Sequence, residues 1–425
     1  MNRKFAPIVL FALLTCSADG AGSPPVVAYT FVCNGSPSRA VGPCPDGGSP
    51  ASLIQGSDGN FYGAAKVSSY QSGTLPVEGG TLFSLTAAGT FTLLHTFGEG
   101  PKKNFANGEG PASLIEGPDG NLYGTTVSGG EGYGVPSGFS GYGVVFRIGK
   151  TGSGFQVIHR FCSAMPSCSD GAYPAGGLAV GSDGNIYGVT SQGGTGSGCA
   201  EPACGTLYRI TPSSGAYEVV FSFSPSAGQE PTGLTPAADG TLYGITLQGG
   251  ALFHYIPDTG DMQSTALAFP FSPGCGGFAC FATSGPVFGP NGNLYGLYTI
   301  YDTGGSGLFE VQPDGGNLQL FPEYATAAQG GSAVGLPLAS DGNFWVSESD
   351  SATGVTGAIV TLSPSDGAAI QTLTPFGGAA GSYPSALIQA KDGTLWGAAS
   401  NGVVAGSDHF AGGTVFSLNE GLPPL

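Results

Sequence analysis

LIEGPDGNLYGTT, residues 114–126, belongs to a phrase that comes round seven times in this chain. Close versions stand at 53–65 (LIQGSDGNFYGAA), 178–190 (LAVGSDGNIYGVT), 234–246 (LTPAADGTLYGIT), 287–299 (VFGPNGNLYGLYT), 336–348 (LPLASDGNFWVSE) and 387–399 (LIQAKDGTLWGAA). The turn residues Asp58, Asp119, Asp183, Asp239, Asn291, Asp341 and Asp392 follow one another at steps of 61, 64, 56, 52, 50 and 51 residues. A period of that length suits one four-stranded unit with loop insertions, and such units can bury their faces only against neighbours. The pattern predicts an all-β chain folded as one seven-bladed β-propeller over residues 26–420, with four antiparallel strands per blade.

Inside the first unit the strands read as Ser52 to Gln55 (a), Asn60 to Ala65 (b), Gly80 to Thr86 (c) and Thr90 to Phe97 (d). Asp-Gly between two apolar runs predicts a type I′ hairpin turn. The aspartates are similar to those of sialidase Asp-boxes and of calcium loops, but no run of alternating carboxylates accompanies them, so they are read as turn residues. Tyr62, Tyr123, Tyr187, Tyr243, Tyr295, Trp345 and Trp396 each lie four residues after the turn residue. One bulky ring per unit at one point of strand b predicts packing between blades. Phe83, Phe146, Tyr208, Phe253, Phe309 and Phe416 mark strand c in the same way, with Val360 the exception.

The seventh unit has no strand d before Leu425, yet Val26 to Phe31 (VVAYTF) matches the strand d segments TFTLLHTF and FQVIHRF. This N-terminal strand is expected to complete the last blade and so remove an exposed edge. Ahead of it, MNRK and the apolar run Phe5 to Leu14 read as an export leader over residues 1–20, too short for a permanent membrane span. Leu13-Leu14-Thr15-Cys16 resembles a bacterial lipobox, with Cys16 as the lipid attachment point; ordinary cleavage near Ala21 is the rival. The other eight cysteines fall into four local pairs, Cys33/Cys44, Cys162/Cys168, Cys199/Cys204 and Cys275/Cys280. Local pairing suggests disulfides and an oxidising compartment, hence a secreted, periplasmic or surface-anchored protein. No CxxC or His-rich cluster accompanies them, so no metal or other cofactor is expected.

The charge balance narrows the partners. Eleven Lys and Arg against 28 Asp and Glu leave a net charge of −17. Such a surface repels nucleic acid and anionic lipid at long range. A neutral glycan, a cell-wall component or a surface protein stays admissible, and a monomer is expected.

The fuller pattern, P-x-LIxGxDGxLYGTTxxGG followed by GTxFxLTxxGxxTxLHxF, resembles the GloVer tandem repeat of exported bacterial proteins over nearly all of the chain after residue 25. The resemblance implies a secreted or surface propeller and no particular reaction. Through DGNFW and DGTLW the chain is also similar to streptogramin-lyase-type propellers, which would imply a metal-assisted lyase.

The four histidines are the first candidates for chemistry. His95 and His159 occupy a strand d position that elsewhere holds Tyr29, Phe221, Phe269 and Thr374, and His254 follows Phe253 in strand c, so all three read as packing residues. His409 beside Asp408 lies in a loop, and no HExxH, nucleophile elbow or P-loop is present. Strand alternation gathers the a–b and c–d turns on one face and the longer b–c and d–a connections on the other. That second face carries the candidate ligand-binding residues Glu131, Tyr133, Tyr142, Asp408 and His409. The expected function is an extracytoplasmic binding or scaffold module, with a propeller-type lyase or glycan-cleaving enzyme as the alternative.

Overall fold

A computed structural model describes residues 24–33, 42–70, 79–98, 105–130, 141–163, 165, 167–199, 204–248, 250–267, 280–282, 284–300, 306–323, 331–350, 357–373, 376, 380–403 and 410–425. Seven antiparallel sheets follow one another along the chain, one per repeat, and together they form a β-propeller. Blade 1 runs through strand a at Gly42–Gln55, b at Phe61–Tyr70, c at Thr81–Leu85 and d at Phe91–Thr96. Blade 7 supplies a, b and c at Ser382–Gln389, Leu395–Val403 and Phe410–Leu418. Its fourth strand is the N-terminal Val26–Cys33, antiparallel to strand c with Val27 opposite Phe416 and Thr30 opposite Thr414. Blade 5 departs from the pattern: its strand a is split into Cys280–Ala282 and Val287–Phe288, both paired with Leu294–Ile300.

The hairpin turn differs from the type I′ expectation. Gly59, Gly120, Gly184, Gly240, Gly292, Gly342 and Gly393 all have φ between 72° and 90°, whereas the Asp or Asn before each does not reach positive φ. In blade 1 the Gly59 N–H donates to the Gly56 carbonyl at 3.0 Å, and the Gly56 N–H donates to the Asn60 carbonyl at 2.8 Å. This is a three-residue loop, a type I turn followed by one left-handed glycine. Only the glycine needs the left-handed region, so the aspartate keeps an ordinary conformation and turns its carboxylate back over the loop.

Each recurring strand b ring packs against the next blade, Tyr243 half-buried and the other six buried. Tyr62 packs with Leu114, Leu122 and Phe146 of blade 2, and Tyr123 with Leu178, Ile186 and Tyr208 of blade 3. The series continues until Trp345 of blade 6 meets Leu395 and Phe416 of blade 7, and Trp396 of blade 7 meets Phe61 and Phe83 of blade 1. Trp396 stacks on Phe61 with ring centroids 4.1 Å apart. The expectation of packing between blades is therefore met at the seam as well.

The residue after the ring is glycine for a related reason. Gly63 lies opposite Phe83, and a Cβ on it would stand 2.2 Å from the Phe83 Cζ. The same pairing joins Gly124 to Phe146, Gly244 to Phe253 and Gly296 to Phe309. In blade 6 Val346 stands in the glycine's place, and the residue opposite is Val360 instead of an aromatic. The exceptional Val360 thus belongs to a paired exchange, in which a smaller side chain on one strand makes room for a larger one on its neighbour.

Strands a lie nearest the axis. A Cβ on Gly176 would stand 2.2 Å from the Gly233 amide, and one on Gly233 would stand 2.6 Å from the Gly285 Cα, so strands a of blades 3, 4 and 5 touch backbone to backbone. Strands d are the most exposed of each set.

Candidate functional site

The turn face is occupied by structure. Asp58 Oδ2 accepts a hydrogen bond from the Tyr62 hydroxyl at 2.8 Å, and its Oδ1 accepts from the Asn60 N–H at 3.2 Å. Asp119 with Tyr123 and Asp183 with Tyr187 repeat the tyrosine bond at 2.8 Å. Burial raises the Asp58 carboxyl, but the bonds from Tyr62 and Asn60 and the nearby Lys150 outweigh it, leaving the group below its ordinary range. Burial, then Asp58 itself, push Tyr62 up to about 12. Across the seam between blades 1 and 2, Glu116 accepts from the Ser57 N–H and Oγ at 2.7 Å each and pairs with Lys150 at 2.6 Å. The Asp-Tyr bond was legible as a fixed four-residue spacing, although that spacing also fits rings that only pack.

On the loop face, Tyr142 is the one predicted site residue among the described residues; Glu131, Tyr133, Asp408 and His409 lie outside them. Cys16 and Cys275 also lie outside, so the Cys275/Cys280 pair is not described. The other three pairs form disulfides, Cys33–Cys44, Cys162–Cys168 and Cys199–Cys204. Tyr142 is half-buried against the Cys162–Cys168 bridge and Tyr173, with the two tyrosine rings 5.4 Å apart.

Beside this cluster, His159 does more than pack. It stacks on Tyr217 at 3.7 Å, and its Nε2 stands 3.0 Å from Asp170 Oδ2. Ser163 donates to the same carboxylate from its N–H at 2.9 Å and its Oγ at 2.6 Å. Burial raises the Asp170 carboxyl, but the bonds from His159 and Ser163 prevail and lower it. Ser163 and His159 each contact the aspartate, which is not the nucleophile-to-base order of a serine hydrolase. Tyr29 has the same setting: it stacks on Phe91 at 4.2 Å and donates to Asp46 Oδ2 at 2.7 Å. The shared spacing C-x-D-G-x-x-P at Cys44–Pro50 and Cys168–Pro174 is the sequence signal of this pair, and it lies outside the repeated phrase.

A second feature was hidden in the sequence. Ser49, Tyr173, Glu230 and Tyr383 have φ of 53°, 57°, 56° and 58°, and each immediately precedes the proline of its strand a. Gly110, with φ of 64°, fills the same place in blade 2. Left-handed backbone costs a non-glycine residue roughly 1–2 kcal/mol, and the ring of a following proline restricts it further. The demand comes from packing: a Cβ on Gly80 would stand 2.4 Å from Pro111 Cδ, and one on Gly413 would stand 2.6 Å from Pro50 Cδ. Each proline is wedged on the preceding blade, and Ser49, Tyr173, Glu230 and Tyr383 before them are half-buried at the loop-face end of strand a.

One cleft of about 280 Å³ opens at this rim, between blades 1 and 2. Ser49, Lys66 and Val67 form one wall; Glu109, Gly110, Val127 and Ser128 form the other. Glu109 Oε2 accepts from Ser128 Oγ at 3.1 Å, and burial raises its carboxyl despite that bond. Among the described residues, no group of three or more His, Cys, Asp or Glu converges as a metal ion would require.

No curated protein matches this chain. Among solved structures it is similar to a streptogramin B lyase, at 15% identity and a TM-score of 0.54 over 89% of this chain and 94% of that one. A catalytically inactive virginiamycin B lyase from Staphylococcus aureus with quinupristin gives 15% and 0.53 over 88% and 95%. The extracellular domain of a one-component system from B. thetaiotaomicron gives 12% and 0.50 over 92% of this chain and 40% of that one. At such identities the likeness is one of fold. Repeat, ring and turn motif converge with a family model that matches residues 28–256, and the chain belongs to the Gloeobacter/Verrucomicrobia repeat family.

Proposed function

We propose that this protein is an extracytoplasmic binding module that takes its ligand on the loop face. The observation that carries the reading is the set of left-handed residues before the strand a prolines. The wedged prolines impose this conformation, and because the side chain that it places differs from blade to blade, packing does not account for the residue types. Ser49, Tyr173, Glu230 and Tyr383 are half-buried at one rim and keep part of their surface open, where hydroxyl, phenol and carboxylate groups suit an uncharged polar ligand such as a neutral glycan or cell-wall fragment. Export is supported by the three disulfides and by the leader-like residues 1–20. The Asp-Gly turns of the opposite face have their carboxylates engaged within the fold.

The test is a screen of arrayed neutral glycans and cell-wall fragments with the protein and with Tyr173→Gly and Glu230→Gly. Both changes relieve backbone strain while removing a rim side chain. Binding is expected to weaken in both, at an unchanged or raised melting temperature in Glu230→Gly, whereas Tyr173→Gly also gives up its packing on Tyr142. A ligand kept by both variants and lost when the Asp-Gly turns are altered would place recognition on the other face.

A further inference from the structure

Repeats make departures informative. Positions set by packing recur from blade to blade, so a residue type that appears once answers to something else. At the strand b position of Lys66 the other blades carry Val127, Ser191, Leu247, Thr299, Ser349 and Ser400. At the position of Glu109, two residues before the strand a proline, blades 1, 3, 4 and 7 carry Gly48, Ala172, Gln229 and Ser382. The single cation and the single carboxylate of these two positions face the same seam and line the same cleft. In a chain with only 11 Lys and Arg, that placement is selective.

We propose that the cleft between blades 1 and 2 is a subsite for one neutral sugar ring, held by Glu109, Lys66 and Ser128 against Val67 and Val127. The inference deepens the loop-face reading and rests on it. A carboxylate can accept from two adjacent hydroxyls, and an ammonium group can donate to a third or to the ring oxygen. Val127 is 43% exposed, so the wall offers apolar surface to the C–H face of a pyranose, with the buried Val67 behind it. Glu109 and Lys66 cancel in charge, which favours an uncharged ligand; the net charge of −17 disfavours uronic or sialic acids at long range. At about 280 Å³ the cleft falls just below the usual range of ligand sites, roughly 300 to 1,000 Å³. It has room for a ring, not for a dinucleotide.

Saturation-transfer NMR and calorimetry with the full mature protein test this, using neutral hexoses, N-acetylhexosamines and their disaccharides as probes, and a uronic acid as the charged control. Expected are saturation of sugar C–H protons, a dissociation constant in the millimolar range, a loss of about tenfold or more in Glu109→Gln, and a smaller loss in Lys66→Ala. Glu109→Gln keeps an acceptor for Ser128, and Lys66 is exposed, so melting temperatures should hold and certify folding. Sugar binding unaffected by either change but weakened by Tyr173→Gly or Glu230→Gly overturns the cleft and leaves the loop-face reading standing. Sugar binding lost only on altering the Asp-Gly turns overturns both. Absence of binding by every neutral probe, or preference for the uronic acid, overturns the ligand class.

Discussion

Single positions in this chain answer to a partner one strand or one blade away. Gly63 is small because Phe83 lies over it, and Val346 is larger because Val360 is smaller. Gly63→Val should therefore cost roughly 3 kcal/mol or more by overpacking, and Phe83→Val a similar amount by leaving a cavity. The double variant copies blade 6 and should recover roughly 2 kcal/mol of the summed loss in a denaturation cycle; additive losses would refute the exchange. His95 gives a pH prediction. It stacks on Phe155 at 3.8 Å, and burial holds its imidazole down at about 4. The unfolded chain binds that proton first, near its ordinary value of 6.5, so the contribution is complete above 6.5 and is lost as pH falls towards 4. His95→Phe, which copies the apolar Phe221 of blade 3, should flatten the fall in melting temperature between pH 7 and pH 5. An unchanged slope would show that His95 protonates freely in the fold.

At the scale of strands and turns, periodicity carried most of the information. Strand order, the N-terminal closing strand and the packing role of the strand b rings were legible because a period of two and a repeated phrase report burial directly. The turn type was not, since Asp-Gly serves a two-residue and a three-residue loop equally well. The left-handed residues before the prolines were not legible either. Sequence alone argues against that conformation, and it arises only because the prolines wedge against the preceding blade. Closure supplies the prediction at this scale. Val26–Cys33 contributes a ladder strand, buries Phe31 and is tied to blade 1 by Cys33–Cys44. The tail at residues 422–425 makes fewer attachments, chiefly the Pro423 carbonyl accepting from Ser340 and Gln389. Deleting residues 26–33 should lower the melting temperature far more than deleting 422–425, the disulfide alone accounting for about 2–4 kcal/mol. Equal midpoints would remove the clasp.

Over the whole molecule, the two faces of the ring have different duties. One is stitched by Asp-Tyr bonds, the Glu116–Lys150 pair and the hydrogen bond from the Lys391 N–H to Gln55 across the seam. The other holds the disulfides, the strained rim and the cleft at Lys66 and Glu109. Sequence alternation was enough to separate the faces. It could not locate the cleft, because Lys66 and Glu109 meet only through the angle between neighbouring blades. The loop Tyr142 contributes to the same face, joined by a Tyr173 partner that the repeat did not single out. Repeated residues build the ring, and under the proposed function unrepeated residues at the loop-face rim recognise the ligand. Hydrogen exchange of the protein with and without a saturating neutral disaccharide tests it most directly. Exchange should slow in Gly48–Pro50, Glu109–Pro111 and Lys66–Val67, with the seven Asp-Gly and Asn-Gly turns unchanged; protection confined to those turns, or no protection anywhere, would refute loop-face recognition.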